Sequence, residues 1–268
     1  MRSSTSTSRS PALEGLEVGA ATDAGQVRPK NEDYMLWELP EDTAVRAGRG
    51  ALLIVADGVG GHGAGAVASA EAAHTVVQEY DLHGRGDSGR ALRRALERAN
   101  LHVYTTRQGH PGLAGMQTTL TALALAEGRY WVAHVGDSKA WLLRGGTLLR
   151  LTRDHTIVEE MRRIGLVDQA GADRHINRHL LTRTIGGDPI VRVDLSSGPV
   201  QPGDCFVLTT DGIYEHLAPE DLRDAFTSLP PAAAAAACVD DANRRGGYDN
   251  LTVLGLRVPS RGLGPAAK

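Results

Sequence analysis

The stretch from Thr118 to Thr152, "TTLTALALAEGRYWVAHVGDSKAWLLRGGTLLRLT", limits the fold more than any other part of the chain. Runs of β-forming residues are broken by Glu127-Gly128, Gly136-Asp137 and Gly145-Gly146, which are hairpin-type turn signals. Strands joined by so few residues must run antiparallel, because a parallel pair needs a crossover of a dozen residues or more. The spacing therefore predicts an antiparallel meander. Aromatic residues make up 4% of the chain, so its core must be built from Leu, Val, Ile and Ala.

Further runs extend this pattern. "LEVGAATDAG", "NEDYMLWEL", "ALLIVAD", "DCFVLTTDG" and "DNLTVLGLRV" read as strands, the buried ones short and continuously apolar. A helix is predicted from about Gly63 to Tyr80, with Val67, Ala70, His74 and Val77 at three- and four-residue steps. A second runs from Ser88 to Arg107 on a Leu92, Leu96, Val103 stripe, the arginines around 90–98 forming its solvated face. Asp154 is the expected N-cap of a helix in "DHTIVEEMRRIG", and further helices are expected between 215 and 245. Residues 165–180 are polar and without period, as a mobile segment would be.

Gly58-Val59-Gly60-Gly61-His62-Gly63 fits the G-x-G-x-x-G pattern that cradles dinucleotides. A dinucleotide fold, however, follows its first helix with a second parallel strand that ends in the ribose-binding acid. Here Glu79 and Asp81 lie at a helix end, another helix follows, and the next sheet is a meander. The glycine loop belongs to something else.

Acids recur where strands meet loops. Asp57-Gly58 ends "LLIVAD", Asp211-Gly212 ends "FVLTTD", and Asp137 follows "YWVAHV". Asp249 opens the last strand, and Asn31-Glu32-Asp33 enters the second. Any one of these pairs makes an ordinary turn. If the five acids converge, two carboxylates about 4 Å apart repel by about 4 kcal/mol at an effective dielectric of about 20, and protonation or cations must relieve it. An all-oxygen set suits Mg²⁺ or Mn²⁺ better than zinc. The two cysteines, Cys205 and Cys238, have no zinc-ligand spacing and read as buried small hydrophobes.

Eight stretches in order, "RPKNEDY", "VADGVGGHGAGAVAS", "MQTTLTAL", "AHVGDSKAWLLR", "LTRDHTIVEEM", "LTRTIGGDP", "LTTDGIYEHL" and "GGYDNLTVL", resemble the metal-dependent protein phosphatases. These are the type 2C serine/threonine phosphatases, in their bacterial form, and the resemblance spans roughly Leu16 to Val258. It implies an α+β fold of two packed antiparallel β-sheets flanked by α-helices, with a small flap subdomain at about 155–180. It further implies one catalytic domain over 14–258, with tails at 1–13 and 259–268.

For the site, the resemblance implies that Asp57 bridges two divalent ions, Mg²⁺ or Mn²⁺. Asp211 and Asp249 would complete the first ion's shell, while the Gly58 carbonyl, Glu32 and Asp33 would serve the second. Asp137 would bind a third ion with Asp211, and Arg28 would clamp the substrate phosphate with its planar fork. The implied reaction is direct attack of a water held between two cations on phosphoserine or phosphothreonine in a protein. A bacterial Ser/Thr kinase or its targets would be the partners.

The sequence departs from the family pattern in places. Val59 stands where relatives carry a histidine or methionine and cannot donate a proton. His62 is the nearest candidate, either structural or a general acid of the leaving group. Gln117 and Lys139 replace a usual glycine and arginine. His175 and His179, four apart, have the spacing of a metal pair but read as a solvated surface. Other possibilities are a catalytically weak sensor or scaffold, or an enzyme of small phosphate esters. The net charge is −3, and no block of Lys and Arg suggests a nucleic-acid footprint. With no apolar run of membrane length and no signal-like segment, a cytoplasmic monomer is expected.

Overall fold

A computed structural model of the chain describes residues 15–39, 50–60, 63–83 and 86–260. The expected tails fall outside these residues, apart from Pro259 and Ser260, and so does His62. Two antiparallel sheets form the centre. The first has the order β1 (Glu17–Asp23), β11 (Leu251–Arg257), β10 (Cys205–Thr209), β7 (Lys139–Arg144), β8 (Thr147–Arg150). The second has the order β2 (Asp33–Glu38), β3 (Ala51–Val59), β5 (Leu120–Ala126), β6 (Arg129–Val135), β9 (Asp194–Pro199), and the short β4 (Gln117–Thr118) pairs with the end of β3.

Central strands are apolar on both sides because each sheet is covered twice. In β3, Leu53 and Val55 face the other sheet and meet Leu142, Phe206, Leu208 and Leu254 in one buried cluster. Leu52, Ile54 and Ala56 face outward onto α1 (Ala64–His83) and α2 (Ser88–Gly109). The first sheet is covered on its outer face by α6 (Pro219–Ser228) and α7 (Pro231–Arg244), through Leu222, Phe226, Ala234 and Cys238. The result is four layers, helix–sheet–sheet–helix, as the resemblance implied. Each buried Leu or Phe contributes about 1.5–3 kcal/mol relative to its exposed form. Among the described residues, no helix is long and apolar enough to cross a membrane.

Three local expectations change. The buried stripe of α1 is Ala64, Ala68, Ala72, Ala73, Val76 and Tyr80, while Val67 is exposed. Small alanines let this helix lie close on the sheet, so the larger valine does not mark the buried face. Gly136-Asp137 is not a hairpin turn: β6 lies in the second sheet and β7 in the first, so the chain changes sheet at this corner. Gly136 takes φ +111°, and a Cβ there would stand 2.5 Å from Thr119 Cβ. Asp154 is not the N-cap of α3 (Ile157–Arg163); Thr156 is, its hydroxyl accepting from Glu159 N at 3.2 Å. Asp154 instead pairs with Lys139 (3.7 Å) and Arg150. The flap segment also carries α4 (Gln169–Asp173), capped by Asp168, while β9 was not anticipated.

Candidate metal centre

The acids collect at one end of the sandwich because each sits where a strand stops. Asp33 opens β2 and lies directly opposite Asp57 of β3. Asp211 opens the short helix α5 (Asp211–Tyr214) just beyond β10, Asp249 precedes β11, and Asp137 occupies the corner between the sheets. Asp57 is held by its backbone. Thr119 N and Thr118 Oγ1 donate to its carbonyl at 2.8 and 2.7 Å, and its own N–H donates to Thr119 Oγ1 at 3.0 Å. The two threonines of "MQTT" therefore fix the acid through its backbone, and its side chain meets that of Asp211. Asp33 is lashed across the sandwich, its Oδ2 accepting from Thr210 and Thr252 hydroxyls at 2.7 Å each. Its Oδ1 is buried without a hydrogen-bond partner.

Charge is the cost of this convergence. Burial pushes the Asp57 carboxyl well above its usual range, and Asp211, Asp33 and Asp137 push it further. Burial also raises Asp211, with Asp137, Asp249 and Glu215 adding to it. Asp33 is pushed up to about 7 by burial, against the two threonine hydrogen bonds. Asp137 is pushed up to about 6 by burial and then by Asp154, although Tyr214 Oη donates to its Oδ2 at 3.1 Å. Nearby positive charge would relieve acids raised in this way, and an orphaned oxygen such as Asp33 Oδ1 suits a ligand atom.

Arg28, Glu32 and Gly58 line one cleft of about 1390 Å³ together with Asp57, Asp137, Asp211 and Asp249. Arg28 donates to Asp249 Oδ2 at 2.6 Å, which pushes its own pKa further up. Asn250 organises this rim: its side chain receives Glu32 N and donates to the carbonyls of Ala24 and Lys30. Gly58 N donates to Glu32 O at 3.2 Å, and a Cβ on Gly58 would stand 2.4 Å from Gly65 backbone, so the loop and α1 meet here without side chains between them. Glu32 Oε2 lies against Gly65. Val59 lines the wall and is exposed. Gln117 Oε1 accepts from Thr184 Oγ1 at 2.7 Å across the cleft. His179, expected to be solvated, instead lines the cleft with Nδ1 2.9 Å from Glu215 Oε1. Thr118, Thr119, Thr210, Thr252 and Asn250 carry no charge and gave no signal of their own in the sequence beyond standing beside the acids.

Residues 31–243 match the family model for protein phosphatase 2C. The chain belongs to the protein phosphatase 2C family. As a phosphatase 2C chain it is 33% identical over 243 residues to protein phosphatase PhpP of Streptococcus pneumoniae serotype 2, covering 89% of this chain and 96% of that protein. The crystal structure of the serine/threonine phosphatase PstP/Ppp of Mycobacterium tuberculosis superposes with a TM-score of 0.81 at 33% identity, over 91% of this chain and 99% of that one. A second structure, the PstP catalytic domain in complex with two manganese ions, gives 0.78 at 33% identity, over 91% and 98%. Phosphatases of this family depend on metal. The residues present here fit such ions, with a hard all-oxygen donor set, one of its buried oxygens unsatisfied and its carboxyls held up by mutual repulsion.

Proposed function

We propose that this chain removes phosphate from phosphoserine and phosphothreonine in proteins, in the cytoplasm and in opposition to a bacterial Ser/Thr kinase. The observation that carries this reading is the convergence of Asp57, Asp137, Asp211 and Asp249 beside Arg28 in one cleft, with Asp33 buried directly opposite Asp57.

Asp57 would hold two divalent ions in common, Asp211 and Asp249 completing the first shell. The Gly58 carbonyl, Asp33 and Glu32 would complete the second, and Asp137 with Asp211 would take a third. Such ions supply water of lowered pKa and offset phosphoryl charge. The chain's own residues do the rest. Arg28 has five N–H donors, of which Asp249 uses one, and the others can grip phosphate oxygens in a fixed plane. Asn250 holds the backbone on both sides of Arg28 and so aims it. Asp249 anchors the guanidinium and, through Oδ1, receives Asn250 N at 2.8 Å. Val59 has no proton to give the departing serine or threonine oxygen; His62 remains the proposed donor. The names of the similar proteins, serine/threonine phosphatases, support a protein substrate, and the intact acid set supports an enzyme over a scaffold.

The test is hydrolysis of a phosphothreonine peptide and an aryl phosphate by the full chain, with Mn²⁺ and after chelation. Peptide turnover that needs Mn²⁺ is expected. Turnover that survives chelation would end the proposal, and aryl turnover with an inert peptide would move it to small esters.

A further inference from the structure

His179, Asp211 and Glu215 each offer a ligand atom, and these atoms all lie within 4.8 Å of one another. Asp211 and Glu215 stand one helical turn apart, with Glu215 N donating to Asp211 O at 3.0 Å, so both carboxylates are delivered by one element. His179 comes from the end of the flap segment, whose backbone bonds back to the start of the same segment. Ile157 N donates to Leu180 O at 2.9 Å, and Thr182 N donates to His155 O at 2.8 Å. The 2.9 Å between His179 Nδ1 and Glu215 Oε1 suits a hydrogen bond. It also suits shared coordination, because two ligand atoms about 2.1 Å from one ion and at right angles lie about 3 Å apart. All three residues line the cleft, and Glu215 adds to the negative potential at Asp211.

We propose that His179, Glu215 and Asp211 form a transition-metal site that joins the flap to the catalytic floor and takes Mn²⁺ in preference to Mg²⁺. The imidazole makes the difference. Mg²⁺ favours oxygen ligands and keeps its waters, whereas a nitrogen with two carboxylates suits a later divalent metal. The site deepens the proposed function and rests on it in one respect: Asp211 would give one carboxylate oxygen to the catalytic ions and the other to this one. An ion held here ties the flap down beside Asp57, so Mn²⁺ concentration would set access to the cleft.

The test is pulsed electron spin-echo spectroscopy of the full chain loaded with Mn²⁺. Catalytic ligands are all oxygen, so nitrogen-14 modulation of the Mn²⁺ signal reports imidazole coordination. Modulation is expected in the unmodified chain and in His175→Ala and His62→Ala, and is expected to vanish in His179→Ala. Mn²⁺ titration should count one ion fewer in Glu215→Gln, with no matching loss when Mg²⁺ is titrated. Absence of modulation from the unmodified chain, or its survival in His179→Ala, would overturn the site. Failure of the phosphatase reading would show separately, as a phosphopeptide left intact.

Discussion

At the scale of single residues, the centre is a place where the fold is weakened for the sake of its chemistry. Asp57 faces Asp33 across two strands and has Asp211 and Asp137 close by, which pushes its carboxyl up after burial has done so. Removing that charge should strengthen the metal-free protein. Asp57→Asn is expected to stabilise the chelated chain by about 1–4 kcal/mol in urea unfolding. The same change should lower Mn²⁺-supported turnover by about three orders of magnitude or more. His134 behaves in the opposite sense. It is buried, accepts from Thr121 Oγ1 at 2.8 Å and sits 3.1 Å from Arg153 O, with His155, Arg150 and Asp194 around it. Burial pushes its pKa down to about 3, so it stays neutral in the fold. A depressed pKa gives stability that is full above the unfolded value of about 6.5 and is lost as pH falls toward 3. Thermal melting should therefore lose about 2–4 kcal/mol of stability over that interval, and His134→Gln should flatten this dependence.

At the scale of elements, the centre depends on how closely helix and strand approach. Gly58 and Gly65 bring β3 and α1 together with backbone alone between them. Gly58→Ala would place a methyl 2.4 Å from Gly65 backbone and 2.5 Å from Glu32 O. It is expected to cost about 1–3 kcal/mol in denaturant unfolding and to reduce Mn²⁺ affinity. Much of this was legible in the chain: strand runs, the Leu92–Leu96–Val103 stripe and the acids at strand ends all stand where they were expected. What was illegible depended on partners distant in sequence. Gly136-Asp137 has the composition of a hairpin turn, and only the packing of Thr119 and the division into two sheets turn it into a corner. The alanine stripe of α1 is hidden in the same way, because alanine is a buried residue only when a sheet lies against it.

At the scale of the whole molecule, the site is a joint between two sheets. Asp33 and Asp57 belong to the second, while Thr210, Asp211, Asp249 and Thr252 sit at the ends of strands of the first. The threonine hydroxyls that reach Asp33 cross from one to the other. Thr252→Val removes one of these bonds while keeping the side chain's volume. It is expected to weaken Mn²⁺ binding by about tenfold in calorimetric titration, as loss of an outer partner of a ligand does. Motif order alone carried the resemblance, and with it the acids. It did not carry His179, which the fold brings to Glu215 from a segment distant in the sequence. The most direct test of the centre is anomalous scattering from a crystal soaked in Mn²⁺. Two peaks flanking Asp57, within reach of Asp33, Asp211 and Asp249, and absent from Asp57→Asn, are predicted. Peaks that avoid Asp57, or persist unchanged in that variant, would contradict it.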